Sequence, residues 1–578
     1  MGVSSQGWAV SGFSLAILLG WPGSALAQSS GPEDTGLPVN TPDPTEQTIP
    51  APPALPIPAP APELHLEFPP PPVPPAGAVP SDFRFRVNRV EVLGSTVLQA
   101  EIAALTSRLE NQDVTFSDLF QLRADITQLY VANGYITSGA FLPTNQDFST
   151  GLVQIQVVEG ELEAIDISGL RRLREGYVRR RLESGTSTPL SQPRLEDSLR
   201  LLQLDPLLDS VNAELMAGSG PGQNILRLEL TEAPAFFTTL SLDNYRPPTT
   251  GSLQGVVQVT HNNLMGFGDR VSAAYSLGAG INLYDVNYTL PITPQGGTVS
   301  IGFNNSDSRI IQDVFEDLGI RSEAQTYSLG LRQPIWRSSE SEFALGLGLD
   351  LRRSQTFLLD NIPFSFSPGP ELGRSQVTAI RFYQDWVQRY PRRVLAARSQ
   401  FSLGIDAFDA TVNDIGIDGR FFAWLGQFQW VEQVSPGVLL VSRLNAQLTP
   451  DALLPIERFS LGGISTVRGY EENQIVSDNG VNASVEALIS LSSIPNELQI
   501  TPFVELGTAW NNQGPSPDPS TLASVGLGLR WLVAPSLQFR ADYGLPLIAA
   551  NNQGSSLQSS GFYFSLVFEP TSLFRTAD

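Results

Sequence analysis

From residue 236 onward the chain alternates. In 283–290, Tyr284, Val286, Tyr288 and Leu290 take turns with Asp285, Asn287 and Thr289. In 343–352, Phe343, Leu345, Leu347, Leu349 and Leu351 take turns with Ala344, Gly346, Gly348, Asp350 and Arg352. In 522–531, Ala523, Val525, Leu527, Leu529 and Trp531 take turns with Ser524, Gly526, Gly528 and Arg530. A period of two sustained over about ten residues is that of membrane β-barrel strands, apolar on one face only. Charges fall on the second face, which keeps them out of lipid, where an arginine at the midplane costs about 2–4 kcal/mol. The pattern predicts sixteen strands, at about 236–245, 253–262, 269–279, 283–291, 297–307, 323–334, 342–354, 374–387, 395–405, 420–432, 437–447, 481–491, 498–510, 521–533, 535–544 and 561–568. Connections after even strands are short, from Ala534 alone up to 335–341 and 388–394. Those after odd strands are mostly long: 308–322, 355–373, 406–419, 448–480, 511–520 and 545–560. A soluble sandwich or propeller predicts no such asymmetry, whereas outer-membrane barrels have short periplasmic turns and long outer loops. The even count puts both barrel ends on the periplasmic side.

Before the barrel the period changes. Val87, Val90 and Val92 before Gly94 predict a strand and turn, and Ile102, Leu105 and Leu109 recur at helical spacing. A second helix is expected from a Thr115/Ser117 start through Leu119, Leu122, Ile126, Leu129 and Tyr130 to an Asn133-Gly134 stop, followed by strands at Tyr135–Leu142 and Leu152–Val158. This β-α-α-β-β order recurs: Ile165–Gly169 lies 75 residues after Val90–Gly94, with helices expected at 175–184 and 193–203 and strands at 209–217 and 224–231. A repeat of this size reads as a duplicated domain. Six arginines crowd 171–181; they suit a solvated helix face or a contact with anionic lipid.

The start of the chain is different again. Residues 1–27 carry no charge, Phe13–Trp21 are apolar, and Ala25-Leu26-Ala27 precedes Gln28, the pattern of a secretory signal peptide. Between Pro32 and Pro80 lie 18 of the 45 prolines, with six acids and no arginine, which predicts an extended spacer.

Composition mainly excludes. With 58 acidic against 35 basic residues and a net charge of -23, a general nucleic-acid binder is not expected. The chain has no Cys, and all its basic residues are Arg, which removes disulfides, thiolate sites, Walker-type loops and Schiff-base lysines. Two histidines, His65 and His261, cannot build a catalytic triad or an HExxH site. No enzyme, cofactor, metal or nucleotide is expected.

The longest loop, 448–480, carries Arg458-Phe459-Ser460-Leu461-Gly462-Gly463 and then Val467-Arg468-Gly469-Tyr470. This stretch resembles the lid-loop signature of two-partner secretion translocators of the haemolysin secretion/activation type (TpsB, ShlB/FhaC/HecB), relatives of the BamA insertases. Pro502–Gly507, ending at Trp510, is similar to the family's F-x-D-x-G lid-anchor motif, with Phe503, Glu505 and Gly507 in its three positions and Glu where Asp is usual. Asn133–Ser138 with Pro143, including Gly134, Tyr135 and Thr137, resembles the motif of the first POTRA domain. The resemblance covers about residues 84–570. It implies an all-β transmembrane barrel of sixteen antiparallel strands preceded by two small α+β POTRA domains.

The expected boundaries are a signal peptide at 1–27, a spacer at 28–80, POTRA domains at 81–160 and 161–234, a barrel at 235–570 with lid 448–480, and a tail at 571–578. Alternation places Phe503, Glu505 and Gly507 on the lumen face, opposite Val504 and Leu506. Twelve residues from Arg468 to Gly480 can reach about 40 Å, more than the apolar band of about 25 Å, so the loop can fold back inside. There Arg468 and Glu505 can form a bidentate pair, and Gly469 lets the backbone approach the wall. Open POTRA edges suit β-augmentation by an extended client. The resemblance implies an outer-membrane protein that contacts membrane lipid and exports a secreted, adhesin- or haemolysin-like exoprotein. The alternatives are an insertase for other barrels, which usually has more POTRA repeats, and a solute channel, which needs neither POTRA domains nor a tied lid.

Overall fold

The computed structural model describes residues 66–67, 84–144, 146–492, 497–551 and 556–570. The expected signal peptide, most of the spacer and the tail at 571–578 lie outside the described residues.

The first module comprises β1 (Arg84–Val87), β2 (Arg89–Leu93), α1 (Gln99–Thr106), β3 (Gln112–Thr115), α2 (Phe116–Ala132), β4 (Gly139–Phe141) and β5 (Leu152–Val158). Helix α2 starts where its caps dictate. Thr115 Oγ accepts from the Asp118 N–H, and the Asp118 carboxylate accepts from the Thr115 N–H, a reciprocal capping box. It buries Leu119, Leu122, Ile126 and Tyr130 on one face and stops at Gly134, whose φ of 85° a side chain would resist. Two expectations need correcting. Gln112–Thr115 is an additional strand, paired with β1, and the strand expected at Tyr135–Leu142 shrinks to Gly139–Phe141. The chain leaving α2 makes a further turn, with the Ser138 N–H donating to Tyr135 O at 3.0 Å, before it can extend.

The second module repeats the plan with β6 (Glu161–Ser168), α3 (Glu175–Leu182), α4 (Gln192–Gln203), β7 (Leu208–Ala217) and β8 (Gln223–Glu232). In both modules the first long strand pairs parallel with the last, and the intervening strand pairs antiparallel with that same last strand. The duplication extends to a side chain. At the end of β5, Glu159 accepts from the Thr96 and Val97 N–H groups and from the Tyr130 hydroxyl at 2.9 Å. At the end of β8, Glu232 accepts from the Arg171, Arg172 and Leu173 N–H groups at 2.6–2.8 Å. Burial alone would raise the pKa of both carboxyls, but these donors hold each below the ordinary value. Burial also pushes the Tyr130 phenol up to about 12, so it stays a donor. One sheet edge of the second module is partly taken: Leu66 and Glu67 pair parallel with Ala213 and Glu214 of β7.

Sixteen of the remaining strands close into an antiparallel barrel. They are β9 (Phe236–Asp243), β10 (Gln254–Asn262), β11 (Arg270–Gly278), β12 (Ile281–Pro291), β13 (Thr298–Arg309), β14 (Arg321–Arg337), β15 (Ser341–Leu358), β16 (Arg374–Tyr390), β17 (Arg393–Ile405), β18 (Phe422–Ser435), β19 (Val438–Leu448), β20 (Asn479–Ser490), β21 (Leu498–Trp510), β22 (Thr521–Ala534), β23 (Leu537–Pro546) and β24 (Phe562–Phe568). Closure removes every strand edge, the condition for β-structure in lipid. The seam between β9 and β24 is short, from Leu240↔Phe568 to Asp243↔Ser565. Several short turns are tighter than expected because the strands run on: 391–392 and 338–340 replace the longer connections read from sequence. The β22–β23 turn needs Pro535 and Ser536 rather than one residue, with a register shift between Leu532 and Ala534. Among the described residues no helix is long and apolar enough to cross a membrane.

The second module rests on the short-turn end of the barrel. The Arg174 N–H donates to Gly266 O at 3.0 Å, and the Ser339 N–H and Oγ–H both donate to Asp197.

Candidate functional site: a loop tied inside the barrel

Strand parity aims the wall residues. Along β21, Phe503, Glu505 and Gly507 are buried in the lumen, while Val504 and Leu506 are more than half exposed on the outer face. The loop between β19 and β20 folds inward and carries a short ribbon, Phe459–Leu461 paired with Ile475–Ser477. Its apolar residues Phe459, Leu461, Val467, Tyr470 and Ile475 pack against Ala509 and Leu522 of the wall. Gly507 makes room for this, since a Cβ there would lie 2.4 Å from the Leu461 side chain.

Arg468 is among the largest side chains fully buried in the protein, at 2% exposure. Its Nε and Nη2 donate to one oxygen of Glu505, Oε1, at 2.9 and 2.6 Å, and its backbone N–H donates to the other, Oε2, at 2.6 Å. The Arg468–Glu505 pair thus has two guanidinium donors on one carboxylate oxygen, and the main chain adds a third donor on the other. The longer Glu side chain reaches far enough to accept it. Nη1 donates to Glu486 of β20 at 2.8 Å and to Asp542 of β23 at 2.7 Å. The guanidinium lies 3.4 Å from the centre of the Phe503 ring, which gives that residue a cation–π role. Arg530 pairs with Glu486 and Arg540 with Asp542, so three carboxylates face three guanidiniums.

The neighbouring residues fix the loop's depth. Gly469 has φ 98°, and it sits so close to Gly544 of β23 that a Cβ on Gly544 would lie 2.5 Å from the Gly469 nitrogen. The Gly469 N–H donates to the Tyr563 hydroxyl, which itself donates to Tyr470 O. The Tyr470 hydroxyl lies 2.8 and 2.9 Å from the carbonyls of Ala523 and Ile548.

A second tie, absent from the sequence reading, lies across the lumen. Glu457 of the loop accepts from Arg352 of β15 at 3.0 Å and from Arg381 of β16 at 2.9 and 3.1 Å. Arg381 also binds Asp350 and Ser402. The loop therefore gives a carboxylate to one wall and a guanidinium to the other. Beside Glu457 the lumen keeps a polar cavity of about 460 Å³, lined by residues such as Asp285, Ser300, Thr326, Ser328 and Tyr383. Parity put Asp350, Arg352 and Arg530 on the inner face, but only the strand register shows what each meets.

The four motif residues of the first module lie elsewhere. Gly134 O accepts from the Gln192 N–H at 2.9 Å, and a Cβ on Gly134 would touch Pro193, so Gly134 joins the two modules. Tyr135 stacks edge-on with Tyr130, Thr137 packs against Gly160, and Pro143 O accepts from Gln146. None of these contacts reaches the loop. Among the described residues no cluster of His, Asp or Glu could hold a metal ion.

A sixteen-stranded barrel with an ion-paired loop in its lumen and two α/β modules at its short-turn end defines an outer-membrane barrel of the POTRA-bearing kind. The sequence signature of the haemolysin secretion/activation proteins ShlB/FhaC/HecB matches residues 222–531, and that of the ShlB-type POTRA domain matches residues 85–160. The chain belongs to this haemolysin secretion/activation family, and its place is the outer membrane, with the POTRA modules in the periplasm. It is 26% identical to the outer membrane transporter CdiB of Escherichia coli over 80% of this chain and 79% of that protein. It is likewise 26% identical to the hemolysin transporter protein ShlB of Serratia marcescens, over 70% and 72% of the two chains. The solved structure of CdiB from Escherichia coli shares the fold, with a TM-score of 0.65 at 24% identity, covering 86% of this chain and 92% of that one.

Proposed function

We propose that the protein exports an unfolded exoprotein across the outer membrane by two-partner secretion. The client first meets the periplasmic POTRA modules and then passes through the barrel, past the loop 448–480. The observation that carries this reading is the tie of Arg468 to Glu505, Glu486 and Asp542. A static plug needs no such concentration of charge, because the apolar contacts of Leu461 and Val467 would hold it. A cluster of matched ions can instead exchange partners with water or with a passing chain. The relatives, a hemolysin transporter among them, support a secreted protein as client. The adhesin- or haemolysin-like character of that client is part of the proposal.

The test is an in-frame deletion in the native host, followed by mass spectrometry of the culture medium and of the outer membrane. Loss of one large exoprotein from the medium, restored by the wild-type gene, is the expected result. An unchanged medium with a general loss of other barrels from the membrane would mean an insertase instead. Unchanged protein in both, with loss of small-solute uptake, would mean a channel.

A further inference from the structure

The arginine run at 171–181 has no part in the export reading. Arg171, Arg172, Arg174, Arg179 and Arg180 are all exposed, and only Arg181 turns inward, to Asp205 at 3.3 Å. Helix α3 is pressed against the first short turn, 263–269. The Arg174 guanidinium stacks 3.8 Å from the centre of the Phe267 ring, and Gly268 lets the Tyr177 ring close in, since a Cβ there would lie 2.3 Å from it. Between them runs a groove of about 460 Å³, lined by Arg174, Tyr177, Arg179, Arg180 and Phe267. Of its three guanidiniums only Arg179 is paired with a carboxylate among the described residues, Glu175 at 3.2 Å. Arg180 gives its Nε to Gly176 O, and Arg174 has the Phe267 ring. The chain has 58 acids for 35 arginines, and Arg398, Arg420, Arg530 and Arg540 each sit on a carboxylate. Arg174 and Arg180 have no such partner among the described residues, and both face the same groove.

The same turn exposes Leu264, Met265 and Phe267 at 43%, 59% and 36%. It joins β10 to β11 at the level where both strands leave the bilayer. Apolar side chains there meet the acyl boundary, and guanidiniums beside them meet the headgroups. We infer that this groove binds the phosphodiester headgroup of an anionic phospholipid in the periplasmic leaflet, with Arg174 and Arg180 as its ligands. A guanidinium fork presents two parallel N–H donors to phosphate oxygens, and the Phe267 ring holds the plane of the Arg174 fork. The bound lipid then clamps the second POTRA module to the membrane surface beside the turn it already touches.

The test is native mass spectrometry of the full-length protein, released from detergent after titration with phosphatidylglycerol, with phosphatidylcholine of the same acyl chains, or with inorganic phosphate. The wild-type protein retains phosphatidylglycerol in preference to phosphatidylcholine. Arg174→Gln/Arg180→Gln lowers that retention about thirtyfold, at the roughly fivefold per charge typical of arginine beside an anionic leaflet. Arg86→Gln, in the first module, leaves it unchanged. Heat-modifiable gel mobility confirms the folded barrel, and if the double variant does not fold, Arg180→Gln alone gives about a fivefold loss. Equal retention of the two lipids, or full retention by the variants, overturns the inference. Saturable binding of inorganic phosphate that displaces phosphatidylglycerol supports the shared phosphate chemistry, whereas phosphate binding with no lipid preference overturns the lipid assignment. The readout is lipid, not secretion, so the result stands apart from the export reading.

Discussion

Replacing Arg468 by Ala should release the loop without unfolding the barrel. Glu505 finds its charge partner in Arg468, whereas Glu486 keeps Arg530 and Asp542 keeps Arg540. The cost is therefore that of one buried carboxylate left without its ion, about 3–5 kcal/mol. The lost stack on Phe503 belongs to the same side chain and is not an independent addition. The strand ladder and the lipid-facing residues are untouched, so this energy is taken from loop docking and not from barrel closure. About 4 kcal/mol raises the population of undocked loop by about a thousandfold. Glu505→Ala should cost less, because Arg468 keeps Glu486 and Asp542, and the double variant should cost less than the sum of the two. Arg468→Lys should rescue poorly, because an ammonium cannot reach Glu505, Glu486 and Asp542 while stacking on Phe503. The assay is a double-mutant cycle read by secretion and by thiol labelling of an Ile464→Cys reporter, with heat-modifiable mobility as the folding control. Additive effects, or a fully protected reporter together with full secretion in Arg468→Ala, would mean that Arg468 and Glu505 do not hold the loop as a pair.

Four further outcomes follow from the same geometry. Glu457→Gln removes the second tie at about 2 kcal/mol and should raise the frequency of channel openings in planar bilayers about thirtyfold, while unchanged conductance would leave Glu457 a passive contact. Gly544→Ala, whose methyl would fall 2.5 Å from the Gly469 nitrogen, should reproduce the Arg468→Ala defect in a folded barrel, read by the same labelling. Cys at Asp317 or Ser516 should react with an impermeant thiol reagent on intact cells, and Cys at Arg392 or Pro436 only after the outer membrane is opened; the reverse pattern would invert the orientation. The pKa of Glu232 is lowered on folding, so its contribution is present above the unfolded carboxylate pKa and is lost as pH falls through the folded one. Hydrogen exchange at the amides of 171–173, corrected for intrinsic rate, should therefore accelerate in acid, and Glu232→Gln should abolish that dependence.

The period-of-two pattern carried the barrel because each strand must satisfy lipid on one face, and that demand is written residue by residue. Tyr284 and Val286 outside with Asp285 inside needed no tertiary knowledge. Helix α2 was legible for a local reason, the Thr115 cap and the Gly134 stop. The strand at Gln112–Thr115 was not, because its pairing with β1 is decided by tertiary contact. At the site, Arg468 and Glu505 could be put in one lumen by motif and parity. Glu486, Asp542, Glu457 and Arg381 could not be connected to the loop, because their meeting depends on barrel register and on how far the loop descends. The main-chain share of the Glu505 grip was invisible for the same reason: it follows from the turn at Gly469 and leaves no mark in residue type.

Passage of an exoprotein through the barrel lumen can be read in one cross-linking experiment. The chain has no cysteine, so single Cys residues can be placed at Ser328, which lines the lumen cavity, and at its neighbour Tyr327, which is exposed on the outer face. The exoprotein lost in the deletion strain is fused to a disulfide-closed domain that halts it in transit, and it carries Cys residues along its length. A disulfide adduct with Ser328→Cys and none with Tyr327→Cys is the predicted result. Arrival of the unhalted exoprotein in the medium with no adduct at Ser328→Cys would mean that the exoprotein does not pass through the lumen.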